Sequence, residues 1–308
     1  MSISVIHDQD GHVDDLLTCL LLWLSPEIDL QAVGITNGDC YVDQAFQSML
    51  KIATFLDLEG AEIALSEDAV PNPFPEFWRR ESFIINELPL FRANDLKKPY
   101  EQGRPRKSSV VFADCLTHSR LPLTVVTTGP LTNIAGVLKA QPKLADKVSE
   151  FVIVGGALSG PGNVIIEGQN GLAEWNIYAD PPAFKSLLET KAPIKLIPLD
   201  VTRDLTVNDE FLRSLSAQAE TRMASQLAAA LWSIVKGFQS NFCDMVAAAA
   251  LIKPALVKFK DMRIDISLNG RNKGRLLPSF FSGRKVQVAT EVDKAGFESL
   301  VLSVLNSR

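Results

Sequence analysis

Ile3-Ser4-Val5-Ile6-His7-Asp8-Gln9-Asp10-Gly11-His12-Val13-Asp14-Asp15 opens with a short β-rich run that turns at once into polar residues. Val13 to Leu24 is then nearly all apolar, a helix buried on most of its sides. The alternation continues outward from this unit. Ile28 to Thr36 reads as a second strand and Val42 to Leu56 as an amphipathic helix. Ser108 to Thr117 reads as helical and Leu123 to Thr127 as a third clear strand. Pro130 is expected to open the next helix, where its missing N–H costs nothing. Phe151 to Val154, Ile194 to Pro198 and Val286 to Val292 read as further strands. Asp180 is placed to cap a helix at Pro181-Pro182. Residues 208 to 252 read as several helices, and a last helix ends the chain.

Repeated β–helix–β units with apolar strands specify an α/β fold, an open and mainly parallel sheet with helices on both faces and a Rossmann-like core. No internal repeat or linker interrupts the 308 residues, so one domain over 1–308 is expected. Ala69 to Pro75 and Gly156 to Gly171 read as long loops, the kind that often carry function. The formal charge of −5 and the lack of any run of five like charges argue against a nucleic-acid partner. The amino terminus has no basic segment followed by a long apolar one, and Leu20 to Leu24 is too short to span a bilayer. Cys19, Cys40, Cys115 and Cys243 are scattered, which fits free thiols in a reducing compartment. A cytoplasmic protein with no membrane partner is expected.

In sheets of this kind ligands bind beyond the carboxyl ends of the strands. Here those ends carry Asp8-Gln9-Asp10, Asn37-Gly38-Asp39, Thr128 and Asp200, and the strand ending at Gly155 leads on to Asn163, Glu174 and Asn176. The densest group is Asp8, Asp10, Asp14 and Asp15. Asp14 or Asp15 could simply cap the helix that follows, gaining about 0.3–1 kcal/mol from its dipole. Two like charges about 4 Å apart cost roughly 4 kcal/mol at an effective dielectric of about 20. Capping cannot offset several such pairs, so protons are retained or a cation sits there. All-oxygen ligands without a Cys/His cluster select a hard cation such as Ca²⁺ or Mg²⁺. An EF-hand loop starting at Asp8 would need Gly and Glu where Val13 and Cys19 stand. The Asp-x-Asp-Gly-Thr motif of haloacid-dehalogenase-like phosphatases comes close, but His12 replaces its Thr and Asp14-Asp15 has no role in it. A Mg²⁺-dependent phosphatase is therefore the alternative.

Asp-x-Asp-x-x-x-Asp-Asp after the first strand resembles the signature of the inosine–uridine nucleoside hydrolase family. Further segments are similar in order: Val33 to Cys40, Asn72-Pro73-Phe74-Pro75 with Trp78, Thr127 to Asn133, Gly155-Gly156-Ala157, Ala173 to Tyr178, Pro198 to Thr202, and Cys243-Asp244. They cover roughly residues 2 to 260 and look closest to the purine-specific branch. The resemblance implies a nucleoside hydrolase fold and hydrolysis of ribonucleosides to base and ribose, with purine nucleosides favoured. It also implies a homodimer or homotetramer. Asp10, Asp15, the Thr128 carbonyl and Asp244 would hold Ca²⁺, with Asp10 as general base to water. Asp14, Asp39 and Asn176 would bind the ribose hydroxyls, Asn163 and Glu174 would lie near the 5′ end of the sugar, and Trp78 would stack on the base. Asp8 would support the cluster from behind, and Trp175 flanks Glu174.

Each has a plainer alternative. Glu174 could be a surface charge, Asn163 a turn residue, Trp78 a core plug and Asp244 a helix cap. The chain departs from the family at Cys243, where other members carry His or Trp before the last aspartate. Its histidines are His7, His12 and His118, so a general-acid histidine is not expected, and Cys243 fits a small buried hydrophobe better than a proton donor. A catalytically silent nucleoside-binding protein is the remaining alternative.

Overall fold

In the computed structural model of the chain, residues 2–92, 104–234 and 242–308 are described. Nine strands among them form one sheet: β1 Ile3–Gln9, β2 Ile28–Ile35, β3 Glu62–Leu65, β4 Leu123–Thr127, β5 Val148–Val154, β6 Ile194–Ile197, β7 Val257–Ile266, β8 Leu276–Ser279 and β9 Arg284–Val292. Their order is β3-β2-β1-β4-β5-β6-β9-β7-β8. All neighbours from β3 to β9 run parallel, and β7 and β8 close one edge as antiparallel strands.

Helices cover both faces, as two apolar clusters show. Val5, Val33, Val126, Val152 and Ile197 pack on one side against the helices Val13–Leu24, Met245–Ile252 and Lys294–Leu305. Ile6, Ala32, Val125, Phe151 and Leu196 pack on the other against Ser108–His118, Thr132–Ala140 and Pro181–Leu188. Consecutive residues such as Val5 and Ile6 point to opposite faces, so a strand buried on both sides is apolar throughout. Among the described residues no helix is long and apolar enough to cross a membrane.

Two expectations change in detail. Pro130 does not open its helix, which begins at Thr132. The helical region 208–252 resolves into Asp209–Ala219, Met223–Ile234 and Met245–Ile252, and its residues 235–241 lie outside the described residues. Asp180 does cap its helix, accepting from the Ala183 amide at 3.1 Å. The strands β3, β7 and β8 were not expected, being short, at an edge or half exposed.

The chain runs outward through β1, β2 and β3, then returns to place β4 on the other side of β1. That reversal opens a crevice at the carboxyl ends of β1 and β4, where ligands bind in such sheets. Gly11 makes the turn out of β1 at φ +94°, and a Cβ there would lie 2.2 Å from that of Ala45.

Candidate active site

The crevice gathers the aspartates through ordinary local structure. Asp15 sits in the first turn of the Val13–Leu24 helix, where its carboxylate accepts from the His12 amide at 3.2 Å and the Asp10 amide at 3.3 Å. The Thr128 hydroxyl, just beyond β4, donates to Asp15 Oδ1 at 2.5 Å. Asp10 Oδ2 accepts from the Asp39 amide at 2.9 Å. Asn176 Nδ2 donates to the Thr128 carbonyl at 2.8 Å. Asp8 is fully buried behind this layer and accepts from Asn133 Nδ2 at 2.8 Å. Asp244 precedes the Met245–Ile252 helix, yet its side chain makes no capping hydrogen bond. Instead, Asp14, Asp15 and Asp244 each bring an oxygen within 4.8 Å of the other two.

Such crowding is costly without compensation. Burial, reinforced by neighbouring carboxylates, pushes Asp15 up to about 7 and Asp10 and Asp244 well above the carboxylate range. Burial likewise lifts Asp8 to about 8 and Asp39 to about 6. Burial, the largest single influence, would raise Asp14 too, but the hydrogen bond from His12, the His12 charge and a hydrogen bond with Asp244 together hold it low. Burial opposes charge on His12, yet bonds to Asp14 at 3.0 Å and Glu81 at 3.1 Å drive its pKa well above the usual imidazole value. One imidazolium cannot balance this group. Asp39 Oδ1 is buried without a partner. The donor set is all oxygen, so the cluster could hold a hard divalent cation.

Above the carboxylates opens a cavity of about 420 Å³, the size of a small-molecule site. The sequence-derived residues Asp10, Asp14, Asp15, Asp39, Trp78, Thr128, Asn163, Glu174, Trp175, Asn176, Cys243 and Asp244 all line it, and only Asp8 lies behind. Glu174 is buried and is no surface charge. Its oxygens take the amides of Gly156 at 2.8 Å and Asn176 at 2.9 Å and cap the Trp175–Ala179 helix. Asn163 Oδ1 accepts from the Trp175 amide at 2.9 Å, and the indole of Trp175 donates to the Asn163 carbonyl at 3.1 Å. The loop bearing Asn163 is pinned by Asp200, which accepts the Leu158 and Ser159 amides at 2.8 Å. Trp78 is half-buried, edge-on to Trp175 with centroids 5.6 Å apart, and faces the cavity.

Sequence reasoning missed His12, Glu81, Phe77 and Trp232 in the same wall. His12 stood inside the quoted motif, but its partner Glu81 is 69 residues away and only the fold joins them. Trp232 lies in the region read only as several helices, and it packs edge-on against Phe211 and Phe242 while also lining the cavity.

Cys243 lines the wall with its thiol pushed up to about 12 by burial and the Asp14 charge. Such a thiol is a poor match for proton transfer near neutral pH. Cys243→Ala is therefore expected to change kcat by less than about tenfold, against the ~10²–10⁴-fold a general acid supplies. A steady-state comparison with a nucleoside substrate decides it.

The profile of the family described as inosine-uridine preferring nucleoside hydrolase matches residues 5–299. The chain belongs to this family. The match reaches beyond the roughly 260 residues over which the motifs could be followed, into the antiparallel edge. The non-specific ribonucleoside hydrolase RihC of Salmonella agona is 26% identical over 98% of this chain and 97% of its own length. The pyrimidine-specific ribonucleoside hydrolase RihA of Escherichia coli is 27% identical over the same shares. A solved inosine-uridine preferring nucleoside hydrolase from Bacillus anthracis superposes with a TM-score of 0.93 at 26% identity, covering 99% of this chain and 100% of that one. This nucleoside hydrolase is accordingly an enzyme that hydrolyses ribonucleosides. The phosphatase alternative drops out with the family match. Bases are treated differently among the relatives, so membership leaves the choice of base open.

Proposed function

We propose that this nucleoside hydrolase cleaves purine ribonucleosides with the help of Ca²⁺, using Asp10 as general base. The observation that carries the proposal is the pairing of a buried carboxylate floor with an aromatic wall across one cavity. Asp10, Asp15, Asp244 and the Thr128 carbonyl would hold the ion. When bound, it supplies Lewis acidity and a fixed point for water and the ribose diol.

The chain's own residues do the rest. Asp10 takes a proton from the attacking water as the water oxygen bonds to C1′ and the C1′–N bond breaks, its electron pair leaving with the base. Positive charge grows on the ribose ring in this step, as in other glycoside hydrolysis. The surrounding carboxylates stabilise that charge more than they stabilise the neutral sugar, which lowers the barrier. Asp14, Asp39 and Asn176 orient the ribose hydroxyls, and Asn163 and Glu174 meet its 5′ end. Asp8 holds the strand end from behind. Trp78 provides the stacking surface for the base, and Trp175 backs it.

The test is release of free ribose and free phosphate from inosine, adenosine, guanosine, uridine and a nucleotide. Ribose from the purine nucleosides at the highest kcat/KM is expected, with no phosphate. A preference for uridine would overturn the assignment of base, and a nucleoside-binding protein without turnover would release neither product. Trp78→Ala is expected to lower kcat/KM for purine nucleosides by roughly ten- to a hundredfold, in line with the ~1–3 kcal/mol of stacking a base on an aromatic ring. Hydrolysis of p-nitrophenyl riboside should fall much less. Equal losses on both substrates would make Trp78 structural.

A further inference from the structure

We propose that His7 is a positioning residue for the cation site, acting through the Thr128 hydroxyl on Asp15. The proposal rests on reading the carboxylate cluster as a cation site. His7 lies inside the central strand β1 and is wholly buried. Its Nε2 is 3.0 Å from Thr128 Oγ1, and that hydroxyl lies 2.5 Å from Asp15 Oδ1. A hydroxyl has one proton, and an ionised carboxylate can only accept. With the cation bound Asp15 is ionised, so the Thr128 proton points at Asp15 and His7 donates from Nε2. That fixes the tautomer with the proton on Nε2 and leaves Nδ1 as a buried acceptor without a partner.

Packing alone gives no reason for an imidazole here. Strands buried on both faces are ordinarily apolar, and a leucine would leave no orphaned nitrogen. What the imidazole adds is a donor that locks the Thr128 rotamer and polarises its hydroxyl, strengthening the bond to Asp15. One chain of two hydrogen bonds thus sets two of the four proposed ion ligands, the Asp15 carboxylate and the residue carrying the Thr128 carbonyl. Partners of this kind behind a metal ligand fix its orientation.

The test is calorimetric titration of the full, chelator-treated chain with Ca²⁺ alone, for wild type, His7→Leu, His7→Gln, Thr128→Val and the double variant His7→Leu/Thr128→Val. His7→Leu is expected to bind Ca²⁺ about 10–100-fold more weakly, the usual loss when such a partner is removed. Its melting temperature in chelator should match wild type, and its kcat should recover at saturating Ca²⁺. His7→Gln restores an N–H near the Nε2 position and should recover most of the affinity. Because the effect passes through the hydroxyl, the double variant should bind no more weakly than Thr128→Val alone. Wild-type affinity in His7→Leu, or additive losses in the double variant, would overturn the relay. If His7→Leu fails to fold, wild-type affinity in Thr128→Val overturns it equally. A wild-type chain that binds no Ca²⁺ would bring down the cation reading and the relay together. Binding by wild type with no change in the variants would remove the relay alone.

Discussion

Asp10→Ala is expected to lower hydrolysis of inosine by at least about a thousandfold, some 4 kcal/mol of transition-state stabilisation. The proposed loss is double, because the side chain would serve both as general base, worth roughly 10²–10⁴-fold, and as a ligand to the ion. The fold itself is arranged around this carboxylate. A Cβ on Gly38 would sit 2.0 Å from Asp10 Oδ2, and one on Gly129 would sit 2.9 Å from Asp10 Cβ. Both neighbouring strand ends are thus kept bare to admit it. Removing it takes one raised, buried carboxylate out of a repulsive group, so the variant should melt in chelator no lower than wild type. Ribose release and a thermal melt measure the two halves. Turnover within about tenfold of wild type would sink the assignment of Asp10 as base, since a general base is worth more than that.

How much of this was legible beforehand follows from where each signal is stored. β1, β2, β4, β5 and β6 announce themselves because a strand covered on both faces must be apolar along its length. β7 was hidden by Lys258, Lys260, Asp261, Arg263 and Asp265, which its half-exposed position beside the short edge strand β8 tolerates, and β3 by its four-residue length. In the site, Asp8, Asp10, Asp14 and Asp15 are local to one turn and could be read as a unit. Asp244 had a plainer explanation as a helix cap until the structure left that cap unmade. His7 carried no signal of its own, since its partner Thr128 comes 121 residues later. Electrostatics adds what spacing cannot: His12 carries no such signal in the sequence, whereas between Asp14 and Glu81 its pKa is driven well above the usual imidazole value inside the pocket.

Removing divalent cations is expected to abolish hydrolysis and also to make stability fall as pH rises between about 6.5 and 8.5. An unfolded aspartate ionises near 3.8, but folded Asp8 holds its proton to about 8 and Asp15 to about 7, with Asp10 and Asp244 higher. Over this window the folded chain binds more protons than the unfolded one, so the metal-free protein loses stability as pH rises. Asp8 contributes roughly 2 kcal/mol to that loss and Asp15 roughly 1. His12 acts in the same direction, because its folded pKa is raised above 6.5. His7 acts oppositely, burial having lowered it to about 3, but its effect is confined to pH below 6.5. Asp14 is held low and is ionised in both states across the window. Calcium should replace those retained protons, so the rise in melting temperature on adding it should be larger at pH 8.5 than at 6.5. A hundredfold excess over Kd adds about 2.7 kcal/mol. Mg²⁺ should stabilise less, because it demands strict octahedral geometry and keeps its waters, whereas Ca²⁺ accepts six to eight oxygens from a crowded carboxylate site. Metal-free stability that climbs from pH 6.5 to 8.5 would mean that the folded cluster does not hold its protons, and a melting temperature indifferent to Ca²⁺ would mean that it holds no ion.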